Sequence, residues 1–116
     1  MSEAFEVVAG ETRGRAAVVR VRGRLDSGGV QVLLAHTSKV LAANQNLVLN
    51  LSAVTFLGSS GVGALLVTVE LFREHRHEVR IAEASQAVMM VIQVLNLEPF
   101  LPLEPSEEAA LSKLAA

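Results

Sequence analysis

Leu47-Val48-Leu49-Asn50-Leu51-Ser52-Ala53-Val54-Thr55-Phe56-Leu57-Gly58-Ser59-Ser60-Gly61-Val62-Gly63 is the stretch whose reading decides the fold. Leu47 to Leu51 form a near-continuous apolar run, the pattern of a strand covered on both faces at the centre of a sheet. Thr55 to Gly61 read as a turn. From about Gly61 to His75, Val62, Leu65, Leu66, Val69 and Phe72 recur at helical spacing as an inward stripe. The outer side of that helix is not fully polar. Gly63, Val67 and Leu71 sit beside Glu70 and Glu74, leaving apolar surface that a partner could cover.

Working towards the amino terminus, Gly23-Arg24-Leu25 leads to Asp26 and Ser27, both candidate helix caps. Val30, Leu33, Leu34, Thr37, Val40 and Leu41 follow at helical spacing, so a helix ends near Asn44. Ahead of it, Phe5–Ala9 and Ala16–Val21 are short β-prone runs, and Gly10 to Gly14 supply a loose hairpin loop. Towards the carboxyl terminus, Val79–Ala82 reads as a strand and Ser85 caps a helix carrying Val88, Val91, Ile92 and Leu95. Phe100-Leu101 before Pro102 suits a brief edge strand, and Pro105-Ser106-Glu107-Glu108 opens a terminal helix.

The order β, β, α, β, α, β, α, β, α predicts an α/β fold: one domain over residues 1–116, with a mixed sheet of four to five strands and about four helices. The first hairpin supplies the antiparallel edge. Loops leaving the carboxyl ends of the parallel strands gather on one rim, where Asp26 and Ser59 are expected to meet.

Composition narrows the function. At 116 residues and 51% hydrophobic content the chain can bury a continuous core, built from aliphatic side chains because aromatics are only 3%. A net charge of -2, without basic residues interleaved with aromatics, argues against direct nucleic-acid binding. The longest apolar run, Val62 to Phe72, is interrupted by Thr68 and Glu70, and membrane insertion is not expected of so short a segment. An acidic start at Met1 to Glu6 and the lack of cysteine fit a cytoplasmic protein.

Candidate chemistry centres on Ser59 and Ser60, at a turn opening a helix, where free N–H groups and the helix dipole stabilise an oxyanion. Either hydroxyl can equally be a plain N-cap, and spacing alone does not decide. The glycines Gly58, Gly61 and Gly63 lack the Gly-Lys-Ser/Thr that a nucleotide cradle needs. His75 and His77 would point about 200° apart on a helix, which disfavours a metal pair. Nor is Gly58-Ser59-Ser60-Gly61 the Gly-x-Ser-x-Gly elbow of a hydrolase, so no enzymatic role, cofactor or metal is expected.

Leu49-Asn50-Leu51 followed by Val54 to Gly63 resembles the STAS signature, in which a strand ends in an Asp-Ser-Ser/Thr-Gly-type loop and runs into a helix. Gly23-Arg24-Leu25-Asp26 is similar to the Gly-Glu-Leu-Asp element of anti-sigma-factor antagonists, and Ala84 to Val88 with Leu95-Asn96-Leu97 resembles the third-helix region. The resemblance implies a partner-switching antagonist that binds an anti-sigma factor with serine kinase activity. It also implies phosphorylation of Ser59, which ends binding, and a phosphatase that restores it. Asp26 maps to a contact aspartate, and the implied docking surface takes in Ser27, Gly58, Ser60, Gly61, Gly63 and Val67. Two positions depart from the pattern: Gly58 stands where Asp is frequent, and Arg24 replaces Glu. The alternative is a STAS adaptor subunit of a membrane ABC transport complex, using the same helix face without phosphate. An apolar outer face would also serve a homodimer.

Overall fold

The computed structural model describes residues 4–114. Its elements are β1 (Glu6–Arg13), β2 (Ala16–Leu25), α1 (Ser27–Ala42), β3 (Asn46–Leu57), α2 (Ser59–Glu74), β4 (Val79–Ala82), α3 (Gln86–Val94), β5 (Leu103–Glu104) and α4 (Glu107–Leu114). The strands lie in sequence order, β1 antiparallel to β2 and the β2–β3, β3–β4 and β4–β5 pairs parallel. This is the mixed five-stranded sheet read from the sequence, with β3 at its centre.

Strand alternation distributes the core between two faces. Ala17, Val19 and Val21 of β2, Leu47, Leu49 and Leu51 of β3, and Val79 and Ile81 of β4 pack with Leu33, Leu65, Phe72, Val88 and Ile92 from α1, α2 and α3. The alternate residues Ala16, Val18, Val48 and Ala82 meet Ala110, Leu111 and Leu114 of α4. One face therefore carries three helices and large aliphatic side chains, and the other a single short helix on mostly small ones.

Several expected boundaries are corrected. β1 does not stop at Ala9, because Gly10 is tolerated on an exposed edge and pairing continues to Arg13. Gly14, at φ 64, makes the connection a tight two-residue turn with Arg15 instead of a loose loop. β2 extends to Leu25, beyond Val21, through irregularities near Arg20 and Gly23. β3 likewise runs past Leu51 to Leu57, so Thr55 to Leu57 are strand, not turn. Here the register slips between Asn50 and Ala53, and the Ser52 N–H donates to the Asn50 side-chain oxygen at 2.9 Å, so strand geometry resumes with its amide satisfied.

The predicted edge strand at Phe100-Leu101 is displaced. Glu98–Phe100 form a 3-10 turn and the strand is Leu103–Glu104. Pro102 cannot donate to a ladder, yet its carbonyl accepts the Ile81 N–H at 2.8 Å, so pairing begins there.

The α4 side of the sheet depends on polar contacts. Arg20 Nε and Nη2 donate to the two carboxylate oxygens of Glu107 at 2.8 and 2.7 Å, and Asn50 Nδ2 donates to Oε2 at 2.7 Å. Arg20 also meets Glu11 at 2.9 Å, and Glu83 accepts the Glu107 N–H at 3.2 Å. Hydrogen bonds from Arg20 hold the Glu107 carboxyl below its ordinary pKa; burial opposes this and the Asn50 hydrogen bond reinforces it. A carboxyl whose pKa falls on folding stabilises the native state above its unfolded pKa, and that contribution is lost as pH drops through the folded value. Glu107→Gln is expected to lower stability at neutral pH by about 1–3 kcal/mol. The gap to wild type should narrow as pH falls below about 4, where Glu107 begins to protonate and comes to resemble the neutral glutamine, as urea midpoints measured over a falling pH series will show.

Candidate functional site

The carboxyl ends of β2 and β3 are adjacent, with Leu25 opposite Leu57 in register. Gly58 N–H donates to the Leu25 carbonyl at 3.0 Å, so the loop after β3 is tied to the end of β2. One residue beyond Leu25, Asp26 caps α1, its Oδ1 accepting the Gly28 and Gly29 N–H groups at 3.1 and 3.2 Å. The N-termini of α1 and α2 thus open on the same rim, as expected for Asp26 and Ser59.

The start of α2 differs from the expectation of a helix beginning at Gly61 and capped by a serine. Gly58 is the N-cap, in extended conformation, and no side chain caps the helix. Ser59 and Ser60 are the first two helical residues, and both are exposed. The first intrahelical bond runs from Val62 N–H to Gly58 C=O at 3.0 Å, which leaves the Ser59, Ser60 and Gly61 amides without intrahelical acceptors. The sheet-tied loop already fixes the helix start, so the serine hydroxyls do no capping. A negatively charged group on this turn would meet free amides and the positive end of the α2 dipole.

Ser59, Gly63, Val67 and Leu71 follow one another at four-residue intervals up one side of α2. Val67 is 58% exposed and Leu71 37%, in agreement with the unpolar outer face read from the sequence. Ser27, the first residue of α1, is exposed as well, whereas Gly61 is buried. A Cβ at Gly61 would lie 2.5 Å from the Leu25 carbonyl oxygen and 2.8 Å from Leu25 Cγ and Leu57 Cδ1. Gly61 therefore lets α2 seat against the sheet end, and the exposed surface belongs to its neighbours.

Sequence reading missed Phe56. It is 38% exposed beside Gly58, and the Arg24 guanidinium lies 4.0 Å from its ring centroid. The aromatic at 56 and the cation at 24 were each visible, but their pairing depends on two register irregularities in the β2–β3 ladder. Among the described residues no His, Asp and Glu group could hold a metal ion, and no helix is long and apolar enough to cross a membrane.

These roles separate under substitution. Asp26→Ala should destabilise the chain by about 0.5–2 kcal/mol through loss of the cap. Gly61→Ala should cost about 1–3 kcal/mol through overpacking against backbone. Ser59→Ala is expected to stay within about 0.5 kcal/mol of wild type, since no cap is lost. Chemical denaturation of the three variants distinguishes these outcomes.

A sequence model of the STAS domain matches residues 8–110. Anti-sigma-F factor antagonist RsfA of Mycobacterium tuberculosis is 29% identical over 100 residues, covering 84% of this chain and 78% of its own. The crystal structure of an anti-sigma factor antagonist from Mycobacterium paratuberculosis superposes with a TM-score of 0.85 at 27% identity, over 100% of both chains. The anti-sigma factor antagonist SpoIIAA, solved in its unphosphorylated form, gives a TM-score of 0.72 at 26% identity, over 95% of each chain. With the family match running through the β2–β3 ladder and both helix starts at its end, this chain belongs to the STAS domain family.

Proposed function

We propose that this chain is a cytoplasmic anti-sigma-factor antagonist that switches partners through the state of Ser59. Unphosphorylated, it docks an anti-sigma factor with serine kinase activity on the rim formed by Asp26, Ser27, Gly58 and Ser60 and on the α2 side bearing Gly63 and Val67. Phosphorylation of Ser59 ends that complex, and a phosphatase regenerates it. The observation that carries the reading is the exposed Ser59 hydroxyl at the first position of α2, free of any capping duty and in line with the apolar stripe. The names of the relative and of the structural neighbours, all anti-sigma factor antagonists, support it.

The physics of such a switch is local. A neutral hydroxyl can be buried under a partner at small cost, whereas a phosphate adds about -1.5 to -2 charges that must be desolvated in the same place. On the free chain the phosphate faces water and the α2 amides, so modification weakens the complex without disturbing the fold. Gly61 contributes by packing, which keeps the helix start where a kinase could reach it.

The test uses the purified serine-kinase anti-sigma factors of the source genome, with intact mass and site mapping after incubation with ATP. Modification is expected at Ser59 and to be abolished in Ser59→Ala, which still binds. Ser59→Asp should bind at least about tenfold more weakly by calorimetry. A wild-type chain that none of these kinases binds or modifies overturns the reading.

A further inference from the structure

Arg24 and Phe56 are register partners across the β2–β3 ladder. A guanidinium lying over a ring uses its flat face, leaving the N–H groups on its edge directed sideways. The nearest acidic group is Asp26, whose Oδ2 is 3.7 Å from Arg24 Nε, beyond hydrogen-bond length. Asp26 is also committed elsewhere, its Oδ1 holding the two amides at the start of α1. Among the described residues the Arg24 guanidinium meets an acidic group only in this long ion pair with Asp26 and has no hydrogen-bond acceptor, and its side chain is 42% exposed. It is a held cation with unused donors.

Gly58 completes the arrangement. A Cβ there would lie 3.1 Å from Phe56 Cε2, closer than an ordinary van der Waals contact. The missing side chain lets the ring, and the cation on it, lie beside the first turn of α2. The two departures from the family pattern, Arg24 for Glu and Gly58 for Asp, therefore meet on one aromatic ring. Together they remove two negative charges from the rim next to Ser59 and add one positive charge.

We propose that Arg24 is a specificity-determining contact that receives a carboxylate, an Asp or Glu side chain of the anti-sigma factor docked on this rim. This rests on the partner-binding reading above. The stacked guanidinium presents paired N–H groups in the geometry that a carboxylate accepts bidentately, and Phe56 limits the side-chain freedom lost on binding. A lysine or arginine at the facing position of a partner would be repelled, so the same residue rejects anti-sigma factors adapted to an acidic rim.

Calorimetry against the kinase domains of the serine-kinase anti-sigma factors of the source genome tests this, using wild type, Arg24→Gln and Arg24→Glu. Arg24→Gln is expected to bind about tenfold more weakly and Arg24→Glu more weakly still. The wild-type affinity should fall between about 50 and about 500 mM salt, with a shallower dependence in Arg24→Gln. Changing one acidic partner residue to lysine should restore binding to Arg24→Glu. Thermal unfolding of each variant reports its folding, and Arg24→Gln, which stays polar and introduces no new charge, decides the matter if Arg24→Glu is unfolded. Binding of Arg24→Gln and every folded Arg24→Glu sample equal to wild type overturns the contact and leaves the proposed function standing. A wild type bound by no such kinase domain overturns both.

Discussion

The carbonyl of Leu25 fixes the rim. It accepts the Gly58 amide at 3.0 Å, and its oxygen occupies the space that a side chain at Gly61 would need. The loop after β3 and the first turn of α2 are thereby both referenced to the end of β2, while Asp26, the next residue, anchors α1. A single peptide group brings two helix N-termini onto neighbouring strand ends, that of α1 capped by Asp26 and that of α2 with its first amides free of intrahelical acceptors. Ser59, Phe56 and Arg24 take their positions from this junction, and the parallel ladder behind it supplies the rigidity.

How much of this could be read beforehand followed the range of the interaction. Local signals read true: the Leu47 to Leu51 run marked the central strand, Asp26 and Ser85 were caps, and α2 showed one apolar side and one mixed side. Strand ends did not, because β2 and β3 continue through irregularities whose amides are satisfied by contacts such as Asn50 to Ser52. The beginning of α2 was misplaced because cap preference favours serine, whereas a glycine already held by a neighbouring strand needs no side chain to begin a helix. Contacts joining distant positions, Arg20 with Glu107 across 87 residues and Arg24 with Phe56, become visible only when the register is known.

The two faces of the sheet are built by different means. Beneath α1, α2 and α3 the packing is apolar and continuous, which holds the strand ends and helix starts of the rim in a fixed shape. Under α4 the apolar layer is mostly alanine and valine, and the Glu107 network supplies orientation that packing alone would not. Mechanical firmness and ionic sensitivity are therefore placed on opposite sides of the same strands.

Because Gly58 rather than Ser59 caps α2, the side chain of residue 59 has no capping duty. In evolutionary terms the position is insulated: under the proposed function selection there acts on partner chemistry, and folding imposes almost no veto. Duplicated copies of such a gene could exchange the hydroxyl for a permanent charge, or for an inert side chain, in one step and without a compensating change elsewhere. Signalling lineages could thus diverge in regulation faster than in architecture.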